Sequence, residues 1–190
     1  MNILVVAYNG QSYYFRPDTT LEKESKDYYC PDDIDSLALM PCLYIKISKA
    51  GKCIEQKFAH RYYDSIGAGI LLYDYNIPND PYSFCMATAM DHTTILSRQT
   101  VEPSLLGNVA YRWLIDGAVV TEWRGDVADN DRIADYLDGK VELVSRHCSL
   151  RIGDIIILEL STVRELEGLP VNANLSLTNG NQTLLNFNIC

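Results

Sequence analysis

The side chains able to do chemistry are few and lie far apart along the 190 residues. Asp91 and His92 stand together, and an imidazole beside a carboxylate is a pairing that proton transfer uses. A lone histidine more often serves as hydrogen-bonded structure, and that is how we read His92. His60 and Asp64 are four residues apart, the spacing of a dyad or of one short helical turn packed beside a sheet; we adopt the helical turn. Asp32, Asp33 and Asp35 could join Asp74 in offering oxygen ligands to a hard cation. A Pro-Asp-Asp run ordinarily makes a solvated turn, because Asp hydrogen-bonds its own backbone, and the cluster is read that way. His147 falls at the end of a predicted helix, where a positive side chain is stabilised.

The six cysteines, Cys30, Cys42, Cys53, Cys85, Cys148 and Cys190, form no Cys-x-x-Cys and meet no paired histidines. Neither a zinc site nor a redox motif is signalled, and reduced, mostly buried thiols are expected. The pairs Tyr13-Tyr14, Tyr28-Tyr29 and Tyr62-Tyr63 could stack on a ligand, but aromatic residues also cover sheet surfaces, and we assign them to packing.

Sixteen basic against 25 acidic residues give a net charge of −9 and a pI near 4.7. Such a field repels phosphate backbones and anionic membrane surfaces, so nucleic acid and membrane are excluded as expected partners. The first residues carry no basic segment, and no apolar run reaches membrane-spanning length, which predicts a cytoplasmic protein. Hydrophobic residues make up 47% and charged residues 22%, ordinary globular usage for one domain over 1–190.

The elements that must position these groups are mostly strands. Residues 2–7 form a short apolar run before Asn9-Gly10, predicting a strand and a turn. Residues 43–48 and 52–57 flank Lys49-Ala-Gly51, which predicts a hairpin. Asp116-Gly117 between 111–115 and 118–123 suits a type I′ turn, with positive φ at both positions. A second hairpin pairs 173–177 with 183–189 across a turn containing Asn179-Gly180. Residues 155–158 are a continuous apolar strand entered by a tight turn at 151–154, as expected where both faces are covered. Helices are short: 129–137, with Asp129 as N-cap and an end before Gly139, and 140–148, with Val141, Val144 and Cys148 on one face. The sum is a β-rich α+β chain.

Taken in order, several of these segments resemble the fumarylacetoacetate hydrolase family, especially its short bacterial isomerases and acylpyruvate hydrolases. They are Tyr14-Phe-Arg-Pro-Asp-Thr-Thr-Leu21, Ile47-Ser-Lys-Ala-Gly-Lys-Cys-Ile54, residues 66–74, Ile115-Asp-Gly117 and Leu150-Arg-Ile-Gly-Asp-Ile-Ile156. The resemblance implies a mixed β-sandwich roll with a few short helices, usually dimeric, that acts on β-dicarbonyl acids. It also implies Mg²⁺ or a similar cation held by three carboxylates, which would stabilise an enolate.

Matched residue by residue, the implied site is depleted. Met40 and Cys42 fall at the family's Glu-x-Glu pair, so a thioether and a thiol replace two hard oxygen ligands. Asp74 falls at the third ligand and keeps its carboxylate, although Leu72 and Asn76 replace that motif's Gly and Thr. Thr88 falls at a pocket lysine ahead of Met90-Asp91. Glu159 lies within Leu158-Glu-Leu-Ser161, where the family holds a substrate carboxylate, and its charge would repel an anion. Arg16 replaces a family lysine and cannot shuttle protons. The segment bearing the family's His-Glu pair is missing between the first strand and Tyr14.

The expectation is therefore a non-catalytic binding or regulatory relative with no metal or other cofactor. It would be a homodimer or pair with an active homologue. The alternative is an active hydrolase, decarboxylase or isomerase of a small keto acid with a rebuilt site. Its remnant pocket would comprise Arg16, Thr88, Asp91, His92 and Glu159.

Overall fold

The computed structural model describes residues 1–8, 10–76, 80–125, 130–161, 164–166 and 172–190. Two sheets form. The larger runs in the order β2 (Tyr13–Arg16), β1 (Ile3–Val6), β9 (Ile155–Glu159), β4 (Leu37–Ile47), β5 (Tyr63–Asp74), β6 (Thr94–Val101) and β3 (Leu21–Glu22), and β10 (Arg164–Leu166) also pairs with β4. The smaller is β12 (Gln182–Asn188), β11 (Asn174–Asn179), β7 (Ala110–Ile115) and β8 (Ala118–Arg124). β4 is the hub: its whole length pairs with β5, residues 42–46 also pair with β9, and residues 37–39 with β10.

The larger sheet must curl. β2 and β5 are four strand positions apart, about 19 Å in a flat sheet at ordinary strand spacing. Yet the hydroxyls of Tyr14 on β2 and Tyr73 on β5 touch, and Arg16 on β2 donates to Leu72 O on β5 at 3.0 Å. The concave interior so formed takes alternate residues of each strand, among them Ile3, Val5, Met40, Cys42, Leu71 and Ile157. The intervening residues, such as Leu4, Leu39, Ile45, Ile70 and Ile156, face the second sheet's Trp113, Leu175, Leu177 and Phe187. Trp113 Nε1 donates to Gly69 O at 2.8 Å and ties one sheet to the other. β9 is thus apolar on both faces because both are covered, as its sequence predicts.

The Asp116-Gly117 hairpin forms as expected, with φ of 48° and 80° and Ile115 opposite Ala118. The last hairpin also forms, with Asn179 opposite Gln182 and Gly180 at φ 57°. The turn into β9 closes on Asp154, whose carboxylate accepts Arg151 N–H at 2.8 Å and Asn2 N–H at 2.7 Å. At the first turn Asn9 lies outside the described residues, but Gly10 N–H closes on Ala7 O at 2.7 Å.

Three expectations are corrected. No hairpin forms about Lys49-Ala-Gly51: Cys53 adopts φ 51°, and Gly51 exchanges backbone hydrogen bonds with Leu150 instead. The chain runs on through α1 (Gln56–Ala59) before returning as β5. His60 and Asp64 do not share a helical turn, since His60 ends α1 and Asp64 stands on β5. The two short helices are one, α3 (Asn130–Ser145), because Leu137, Val141 and Val144 form a single buried stripe across Gly139, and burial outweighs glycine's helix penalty of about 1 kcal/mol. The predicted cap Asp129 lies outside the described residues. Between β5 and β6 lies α2 (Pro81–Ala87), capped by Asp80, whose carboxylate accepts the Tyr82 and Ser83 amides.

Candidate functional site

The concave interior of the larger sheet brings together Met40, Cys42, Glu159 and Arg16. β4 alternation turns Met40 and Cys42 into it, and they are 1% and 0% exposed. Met40 lies opposite Leu71, and Cys42 opposite Gly69 on one side and Glu159 on the other. Burial pushes the Cys42 thiol well above its ordinary range, so it is protonated and a poor ligand. A buried thioether and a neutral thiol do not fit a hard divalent ion. Among the described residues, no three His, Cys, Asp or Glu side chains gather where a metal could sit.

Asp74 is not beside them. It ends β5 opposite Leu37, three positions along β4 from Met40 and so roughly 10 Å away. Its Oδ1 accepts Asn76 N–H at 3.0 Å. Asp32, Asp33 and Asp35 are exposed in a turn, as the solvated reading expects.

Glu159 comes into the interior from the end of β9. Its Oε1 accepts from Tyr14 at 2.9 Å and Tyr73 at 3.1 Å, and its Oε2 accepts Tyr8 N–H at 2.9 Å. Burial first, then the charge of Glu159 and the partner phenol, raises Tyr14 far above the ordinary tyrosine range; burial and Glu159 do the same for Tyr73. Both phenols remain donors, so Glu159 is held by hydrogen bonds rather than by a cation. Sequence reasoning had placed Tyr14 in sheet packing and had not singled out Tyr73, because only the curl brings β2 and β5 together.

Arg16 enters the same interior from β2. Its Nη2 donates to Leu72 O at 3.0 Å and Thr93 Oγ1 at 2.6 Å, and its guanidinium lies 4.9 Å over the Tyr73 ring. Asp91 and His92 do not converge with it. They are exposed and line an outer cavity of about 960 Å³ with Glu22, Tyr28 and Met90. His92 holds φ 60°, its N–H meets Thr19 O at 3.2 Å, and its Nδ1 is 3.4 Å from Glu22 Oε2. Thr88 is buried and turns its hydroxyl back on Phe84 O and Cys85 O at the end of α2.

The other candidates have structural partners. His60 Nδ1 is 4.0 Å from Asp138, which also accepts from Tyr63 at 3.0 Å, and His147 stacks with Tyr13. The thiols are not mostly buried: Cys42 is, Cys30 and Cys148 are half-buried, and Cys53, Cys85 and Cys190 are exposed. Of the tyrosine pairs, Tyr28 is buried with Tyr29 76% exposed, Tyr63 is buried with Tyr62 half-buried, and Tyr13 and Tyr14 are both half-buried. Among the described residues, no helix is long and apolar enough to cross a membrane.

No protein-family profile and no curated protein sequence matches this chain. Solved structures do. One described as a fumarylacetoacetate hydrolase family protein, from Yersinia pestis CO92, superposes with a TM-score of 0.77 at 17% identity, over 100% of this chain and 92% of that one. Fumarylpyruvate hydrolase from Pseudomonas aeruginosa, in complex with Mn²⁺ and pyruvate, gives 0.79 at 13% identity, over 100% and 89%. The 2-hydroxyhepta-2,4-diene-1,7-dioate isomerase from Mycobacterium marinum gives 0.80 at 16%, over 99% and 73%. At such identities the likeness is one of fold.

Proposed function

We propose that this chain, which has the fold of fumarylacetoacetate hydrolase family proteins, is a non-catalytic binding or regulatory relative of the hydrolases and isomerases built on it. One observation carries the reading: Met40 and Cys42 are fully buried in the interior of the curled sheet, where the resemblance would put two metal carboxylates. The residues present do not fit a hard cation. The rival, a rebuilt active site, would need Arg16, Asp91 and His92 to converge. Arg16 points inward while Asp91 and His92 face the outer cavity, which supports the non-catalytic reading. A cytoplasmic location and pairing, with itself or with an active homologue, belong to the same proposal.

The test is calorimetric titration with Mg²⁺, Mn²⁺ and Ca²⁺, alongside assays on oxaloacetate and acylpyruvates. Neither heat of binding nor turnover is expected. Cation-dependent turnover that Asp74→Asn abolishes would overturn the reading.

A further inference from the structure

We propose that Arg16 holds a small monovalent anion, of halide or formate size, on its Nε and Nη1 donors inside the curled sheet. Arg16 is 2% exposed, yet only Nη2 has partners; Nε and Nη1 are buried and make no hydrogen bond. A buried charged donor left unmet is among the costlier defects a core can carry.

No nitrogen of Arg16 meets a carboxylate among the described residues; Glu159 acts on the same Tyr14, Tyr73 and Cys42 as Arg16 but makes no contact with the guanidinium. Tyr14, Tyr28, Tyr73 and Cys42 all lie within the field of Arg16, and burial keeps every one of them protonated. Thr93 spends its own proton on Met90 O. Among the described acids, Glu159 is committed to Tyr14, Tyr73 and Tyr8, Asp74 to Asn76, and Asp91 is exposed in the outer cavity. A water molecule would meet the donors as a neutral dipole, whereas an anion accepts the stronger, charge-assisted hydrogen bonds that a guanidinium offers. Tyr73 lies under the guanidinium and Cys42 within its field, both buried, so an ion of a few atoms suits the place better than an extended acid. The inference rests on the interior holding no hard cation, as the proposed function has it.

Two measurements on the whole chain test it. In crystals grown with sodium bromide, anomalous density is expected within hydrogen-bonding distance of Arg16 Nε or Nη1. In thermal melts at fixed ionic strength, Tm is expected to be higher in chloride or formate than in gluconate and to rise with concentration. The two salts distinguish halide from carboxylate, and Arg16→Met should erase the difference between either and gluconate. If that variant does not fold, Arg16→Lys and the wild-type salt series carry the test. Water or a protein carboxylate on both donors would overturn the proposal. So would equal Tm in all three salts, with any bromide peak then marking binding at crystal concentration only. Cation-dependent turnover would instead strike at the proposed function, so the two failures are distinguishable.

Discussion

Tyr14 and Tyr73 bring their hydroxyls together from strands four positions apart, and both reach the same oxygen of Glu159. This three-membered cluster fastens the curl of the larger sheet where an open pocket would otherwise begin. Tyr73→Phe removes one donor to a charged acceptor and is expected to cost about 1–3 kcal/mol in urea denaturation. Tyr14→Phe should cost a similar amount. The double variant should cost measurably less than the sum of the two, because the three groups share protons and partners. Strict additivity would show that the cluster does not act as a unit.

Alkaline pH should unfold the protein before its interior tyrosines titrate. Burial raises Tyr111 to about 12 from an ordinary 10.0, carries Tyr28, Tyr44, Tyr63 and Tyr73 higher still, and holds Tyr14 well above its ordinary value. With the folded value above the unfolded one, the folded state binds these protons more tightly. Their stabilisation is complete below pH 10 and falls away as pH rises beyond it, through the folded values. Phenolate absorbance should therefore appear in two stages, the later one coinciding with loss of circular dichroism. A single rise near pH 10 with structure intact would contradict the burial of these phenols.

The bond from Trp113 Nε1 to Gly69 O joins the sheets at a fully buried point. Trp113→Phe leaves a carbonyl unmet and a void beside it, and is expected to lower stability by about 2–4 kcal/mol. Gly69→Ala should be at least as damaging, because its Cβ would lie 2.6 Å from Ile95 O on the neighbouring strand. Thermal denaturation of both variants checks this, and wild-type Tm in either would refute it.

Gly117 offers the contrasting case. A Cβ there meets nothing within 4 Å, so only its φ of 80° resists substitution. Gly117→Ala should cost about 1–2 kcal/mol, the strain of an L-residue in the left-handed region, with the fold otherwise intact. Chemical denaturation gives the value, and a loss as large as that of Gly69→Ala would mean the turn is packed rather than free.

Local chemistry was legible in the sequence. Asp116-Gly117 announced its turn because positive φ at two positions suits few residue pairs, and the apolar run at 155–158 announced a strand covered on both faces. That Met40 and Cys42 share one side was equally plain, since they alternate along one strand. The hairpin expected about Gly51 failed because its strand-forming residues do not register that Cys53 turns left-handed and Gly51 pairs with Leu150, 99 residues on. Gly139 suggested a helix end, but the buried stripe on α3 outweighed its propensity. What no local pattern holds is the curl of the larger sheet. That depends on β1 and β9, far apart in sequence, lying side by side between β2 and β4. Only the curl brings Arg16 under Tyr73, gives Glu159 its two phenols, and leaves Asp74 at the strand end and His92 outside. Residue types determined which groups the strands carry, and tertiary packing decided which of them meet in the interior, because contact between distant strands follows from sheet geometry rather than from spacing along the chain.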